Sequence, residues 1–283
     1  MKIGLVQLNS TDDKTANFVQ ADEAVDRVVA QGADLVMLPE NFNHRGTDEA
    51  NAAAAEPIPG PSYEWARAMA HKHGVFFHLG SLIAQRGDQR FNTSVVFDRL
   101  GAEIARYSKI HLFDVELPDG TLYHESDAIS PGNEIVTVDC EGVTLGLVIC
   151  YDLRFPELFR ALADRGAEVF LVPAAFTIPT GIGHWESLIR ARAIENGCYV
   201  AACGQWGPSK VGKPCYGHSM VVDPWGVVVA QCRESVSCLV AELDLGYLRE
   251  VRRRMPVLEH RRPDVFQEAP GTGEAKWPQQ SEK

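Results

Sequence analysis

Metal-ligand spacing is absent from this sequence. The seven cysteines, Cys140, Cys150, Cys198, Cys203, Cys215, Cys232 and Cys238, include no CxxC pair, and a zinc site needs close pairs or a paired-histidine motif. No metal and no cofactor is expected. MKIGLVQL at the start reads as a strand and lacks the apolar stretch and cleavage site of a secretory signal. With an odd cysteine count, that disfavours a disulfide framework and points to the cytosol. Long apolar runs are missing too: none approaches the roughly 18 residues of a membrane span. Positive charge is scarce, with 27 basic against 38 acidic side chains and a net charge of −11. That argues against nucleic acid or an anionic membrane as partner. The basic run Arg252-Arg253-Arg254, with Arg261-Arg262 nearby, reads as a solvated helix face or a set of ion pairs. No repeat at a fixed period and no linker divides the 283 residues. One domain over 1–266 is expected, followed by a tail over 267–283 too rich in Pro, Gly, Glu and Gln to bury surface and order itself.

What is present is alternation. Apolar runs read as strands at 3–8, 34–40, 75–83, 168–176 and 198–205, and helical patterns fall at 18–33, 62–74, 156–165, 184–197 and 245–255. Hairpins are expected at 91–111 around Gly101, at 134–150 around Glu141-Gly142, and at 218–231 around Asp223-Pro224-Trp225-Gly226. Strands mixed with helices, some joined by hairpins and some by crossovers, predict a layered α/β fold with mixed sheets covered on both faces.

Three of these strands end on a reactive group: LVMLPE at Glu40, ARYSKIH at Lys109 and GLVIC at Cys150. Ligands collect at the carboxyl ends of strands in open α/β sheets. A thiol between a strand and the helix starting near Pro156 lies close to a helix N-terminus, which favours the thiolate. Each residue also has a plain reading: Cys150 as buried filler, Glu40 as a helix cap or surface acid, Lys109 as an edge charge. Their joint occurrence carries the weight.

LPEN (38–41), YSKIHLFD (107–114) and ICYDLRFPE (149–157) resemble the three signature segments of the nitrilase superfamily of carbon–nitrogen hydrolases. The similarity runs from Met1 to about Phe266. HWESLIRARAIENGCYVAA, GHSMVVDPWG and VLEHRRPDVF resemble its Nit branch. The resemblance implies a four-layer α-β-β-α sandwich, usually extended by homodimerisation. It also implies a triad of Glu40, Lys109 and Cys150, with Glu125 of YHESD as a second glutamate that orients Lys109 or positions the amide nitrogen.

An amide carbonyl is a poor electrophile, and a free thiol is only a few per cent ionised near neutrality. In the implied chemistry Glu40, shielded from water, takes the proton of Cys150 and returns it to the departing nitrogen. Lys109 and the backbone N–H of Tyr151 hold the oxyanion, and Lys109 also favours the thiolate. The small-molecule substrate implied is a carboxylate-bearing α-ketoglutaryl amide, releasing α-ketoglutarate and cysteinylglycine; smaller α-keto acid amides releasing ammonia are the alternative. Arg154 would fork onto a carboxylate, unless it pairs structurally with Asp152 or Glu157. Phe176 and Thr180 would line the acyl site, while Arg190 and Arg192 would support the dimer or the fold. Two other readings stand beside this one: a Cys150–His111 pair, since His111 shares a strand face with Lys109, and a non-catalytic scaffold on the same fold.

Overall fold

The computed structural model describes residues 1–117, 120–208 and 214–266; the expected tail at 267–283 lies outside the described residues. Two sheets pack face to face. The larger runs Ser237–Glu242, Lys2–Gln7, Leu35–Met37, Phe76–His78, Gln89–Phe97, Leu82–Arg86 and Glu56–Pro57, with Glu103–Ser108 also paired to Gln89–Phe97. The smaller runs Thr137–Cys140, Val143–Leu147, Val169–Ala174, Tyr199–Gly204, Met220–Val222 and Val228–Gln231. Both mix parallel crossovers with antiparallel hairpins, as the alternating sequence predicts.

Side-chain alternation sorts the larger sheet into two faces. Ile3, Leu5, Leu35, Met37, Phe76 and Val96 join the core shared with Leu145, Leu147, Val169 and Leu171 of the other sheet. The intervening Val6, Val36, Phe77, Val95 and Phe97 pack with Ala21, Val25 and Val28 of helix Lys14–Ala30 and Ala66 and Ala70 of helix Pro61–His73. A one-residue slip of Lys2–Gln7 would turn Ile3 and Leu5 away from the shared core and Val6 into it, so burial fixes the register. The smaller sheet is covered by helices Pro156–Asp164 and Ile178–Asn196, with Phe159 meeting Phe170 edge-on at 5.0 Å. The result is the α-β-β-α sandwich.

Four elements depart from the expected outline, and each departure shapes the site. The run 75–83 is two strands, because Gly80 (φ 75°) breaks it. A Cβ on Gly80 would lie 2.2 Å from the carbonyl oxygen of Pro39, so only glycine lets this turn press against the Glu40 loop. The helix expected at 184–197 begins at Ile178; Gly181 and Gly183 weaken the helical signal, but Gly181 is where Tyr216 packs on the helix. Helix Asp48–Ala53 and the hairpin Asp114–Glu116 with Leu122–His124 were not expected. Both border the cleft described next.

Candidate active site

Glu40, Lys109 and Cys150 each lie one to three residues past the carboxyl end of a strand, those strands ending at Met37, Ser108 and Leu147. Residue 40 opens a turn held by Gln205, whose side-chain amide donates to the Glu40 carbonyl at 3.0 Å. On the neighbouring turn, the Ser81 hydroxyl accepts from Asn41 N–H at 3.2 Å. Lys109 is anchored by its own N–H, which donates to the Asn92 carbonyl at 2.8 Å. Cys150 opens a single tight turn, Cys150–Arg154, at φ 50°. That backbone region is costly for a residue with a Cβ and persists only where its surroundings enforce it.

Asp152 does the enforcing. Fully buried, its carboxylate accepts from Ile149 N–H at 2.9 Å, Tyr107 hydroxyl at 2.7 Å and His111 N–H at 3.0 Å. The His111 ring reaches it at 2.7 Å as well. One acid therefore ties the cysteine turn to the chain just past Lys109. Tyr107 remains a hydroxyl donor, since burial and the facing Asp152 push its ionisation well above the ordinary range. His111 is stacked on Phe155 at 3.6 Å and turned to Asp152. A Cys150–His111 pair is therefore not what this arrangement forms.

Around Lys109 the charges close into a ring. Its ammonium donates to Glu40 at 3.2 Å and to Glu125 at 2.7 Å. The Asn92 side-chain amide donates to the same two carboxylates at 2.8 and 3.4 Å, and Phe113 N–H adds a bond to Glu125 at 2.7 Å. Lys109 is 2% exposed and Glu40 3%, so water does not screen these contacts. Burial alone would lower the lysine's proton affinity, yet Glu125 and Glu40 outweigh it and hold the ammonium charged well above the usual lysine range.

At Cys150 the expected bias toward the thiolate is outweighed. Burial first, and the facing Glu40 second, push its thiol well above the ordinary value, against the downward pull of Lys109 and the Ala175 N–H. The resting group is a neutral thiol aimed at a carboxylate. Burial also pushes Cys198 and Cys232 up to about 11. A raised thiol is thus common in this chain; an acid and an ammonium beside it are found here.

One cleft of about 850 Å³, counting its open mouth, exposes Glu40, Lys109, Glu125 and Cys150 together. Tyr151, Arg154, Phe176 and Thr180 line the same cleft, so all eight residues named from the sequence meet in one place. Among the described residues no carboxylate pairs with Arg154. Its guanidinium sits 5.7 Å from the Tyr151 ring and 5.6 Å from the Phe176 ring, with one nitrogen 3.2 Å from His184 Nδ1. The ion pair considered with Asp152 or Glu157 is not formed. Arg192 braces the fold, donating to the Leu153 carbonyl at 3.0 Å, whereas Arg190 pairs with Glu186 on the surface. Sequence reasoning missed Asn92, Gln205, the support role of Asp152, and the outer wall of Phe113, Tyr123 and Ile129. The one usable signal was an asparagine buried inside the strand FNTSVVF. Among the described residues no cluster of side chains has a metal-binding arrangement.

The carbon–nitrogen hydrolase family model matches residues 2–253. The deaminated glutathione amidase of Homo sapiens is 42% identical over 271 residues, covering 93% of this chain and 83% of that protein. That of Synechocystis sp. is 42% identical over 262 residues, covering 90% and 96%. The crystal structure of the C. elegans NitFhit protein superposes with a TM-score of 0.87 at 41% identity, spanning 93% of this chain and 65% of that longer one. With the triad segments folded into one buried cleft and the match running nearly end to end, the chain belongs to the carbon–nitrogen hydrolase family.

Proposed function

We propose that this hydrolase cleaves a small carboxylate-bearing amide through a thioester on Cys150. The proposed substrate is deaminated glutathione, giving α-ketoglutarate and cysteinylglycine. The observation that carries the reading is a neutral thiol facing a buried carboxylate, with a buried ammonium beside both. The Cys150 proton moves to Glu40 as Sγ attacks the carbonyl carbon. An ammonium has three donors; Glu40 and Glu125 take two on Lys109, and the third is left for the oxyanion, with Tyr151 N–H as partner. Collapse breaks the C–N bond while Glu40 returns the proton to the leaving nitrogen. Water then attacks the thioester carbonyl, Glu40 accepting its proton; the C–S bond breaks, the carboxylic acid product leaves, and Glu40 returns that proton to the Cys150 sulfur. Glu125, held by Lys109, Asn92 and Phe113, orients the lysine.

Side-by-side turnover tests the substrate. Deaminated glutathione should be hydrolysed with the higher kcat/KM and leave an acyl mass on Cys150 in quenched samples, an adduct missing from Cys150→Ala. Higher kcat/KM for α-ketoglutaramate, with ammonia released, would move the assignment to the smaller amides. No adduct with any amide would remove the enzyme reading.

Arg154 is the proposed carboxylate anchor, supported by its place on the cleft wall without an acidic partner among the described residues. Arg154→Ala should raise KM for a dianionic amide about tenfold or more, the effect of losing a charge-assisted hydrogen bond. A neutral amide of equal size should change little. Equal effects on both would remove Arg154 from that role. The proposal includes a homodimer and a cytosolic setting. Exposed Ile182, Ile194, Trp225, Val227 and Val229 support the first, and seven free cysteines the second. A single-copy mass in solution would remove the dimer.

A further inference from the structure

We propose that Asn92 is a positioning residue that fixes which oxygen of Glu40 receives the Cys150 proton. This rests on the proposed chemistry at Cys150. Asn92 is 1% exposed, in the middle of a strand. Its amide nitrogen donates to Oε1 of Glu40 at 2.8 Å, the same oxygen that accepts from Lys109 at 3.2 Å. Both donors therefore load one oxygen. Oε2 carries neither of these bonds, and the Cys150 thiol faces this same carboxylate. The same nitrogen reaches Oε1 of Glu125 at 3.4 Å, and the Asn92 carbonyl holds the Lys109 N–H at 2.8 Å. A neutral donor thus sits between two carboxylates that would otherwise meet only through the lysine.

Polarity matters here more than size. Turned the other way, the amide would place its oxygen against two carboxylate oxygens; those acceptors fix its orientation. Among the described residues, the titratable groups facing Glu40 include Lys109, Cys150 and Cys215, with Glu125 across the shared Lys109 ammonium. Lys109 among them already bonds Oε1.

The experiment compares Asn92→Ala and Asn92→Asp with the unmodified enzyme, using kcat and KM on deaminated glutathione, the pH profile of kcat/KM, and thermal melting. Asn92→Ala should lose about 10²-fold in kcat, the cost of a misplaced reacting group, with KM changed less than about threefold. Its acid limb should move to higher pH, because a carboxylate deprived of a donor is more easily protonated. Asn92→Asp has the same shape but offers an acceptor and a third negative charge, so it should lose more than the alanine variant. A purely packing role predicts the opposite order. Wild-type kcat and an unmoved acid limb in whichever variant folds, or a milder aspartate, would overturn the assignment. Absence of turnover in the unmodified enzyme would instead overturn the chemistry on which it rests.

Discussion

Glu40→Gln should turn over substrate about 10²–10⁴-fold more slowly, the usual worth of a general acid–base group, while its Cys150 reacts faster with iodoacetamide. The two effects run in opposite directions for one reason. In the wild-type cleft the thiol stays neutral because burial and the Glu40 charge disfavour the thiolate more than Lys109 favours it. Glutamine keeps an acceptor for Lys109 and Asn92 at Oε1, but removes the negative charge and puts an N–H donor where Oε2 stood. Lys109 then acts with less opposition and the thiolate population rises. Catalysis falls regardless, since no group remains to carry the proton to the leaving nitrogen. Rates of alkylation and hydrolysis on the same preparation, at several pH values, read both. Turnover within a few-fold of wild type would place the proton carrier elsewhere. Unchanged alkylation would mean that the carboxylate does not govern the thiol.

The three reactive residues were legible jointly rather than singly: Glu40 and Cys150 follow apolar strands, and Lys109 follows the polar hairpin strand EIARYS. Each has a plain reading alone, and the three segments together resemble one family's signatures. The resting state of the Cys150 thiol was not legible. A helix N-terminus and a lysine suggested a thiolate, but the outcome depends on burial and on a carboxylate arriving from residue 40. No linear reading weighs those terms. The supporting residues were hidden for a related reason. Asn92 meets Glu40 across 52 positions, His111 meets Asp152 across 41, and Gln205 meets the Glu40 carbonyl across 165. The last two exist only once the two sheets have stacked, and the first only once Leu35–Met37 and Gln89–Phe97, not neighbours in the order, have been assembled into the larger sheet. The fold class was easier, since period-two alternation and hairpin glycines are local signals. The broken strand at Gly80 was not, because its cause is the Pro39 carbonyl of another strand end.

Lys109→Met should be the most damaging single change, acting on rate and stability together. Losing one oxyanion donor costs about 3–4 kcal/mol of transition-state stabilisation, roughly 10²–10³-fold in kcat. Removing the cation from a buried set also leaves Glu40 and Glu125 facing each other uncompensated, a change that typically destabilises by about 3–5 kcal/mol. The pH dependence distinguishes this from simple loss of packing. In the wild type the lysine's proton affinity is raised, so its contribution to stability is complete below the unfolded lysine value. That contribution fades only as pH climbs through the higher folded value, well outside the neutral range. In the methionine variant two close carboxylates cannot both stay ionised cheaply, so the folded state takes up a proton that the unfolded chain does not hold near neutrality. Linkage then makes the variant's stability fall as pH rises from about 5 to 8. Melting curves at pH 5 and pH 8 should therefore show a Tm deficit against wild type that is smaller at pH 5. A deficit independent of pH would indicate lost packing alone. Near-normal hydrolysis by the variant would end the triad reading, because no other ammonium stands beside Cys150 and Glu40 among the described residues.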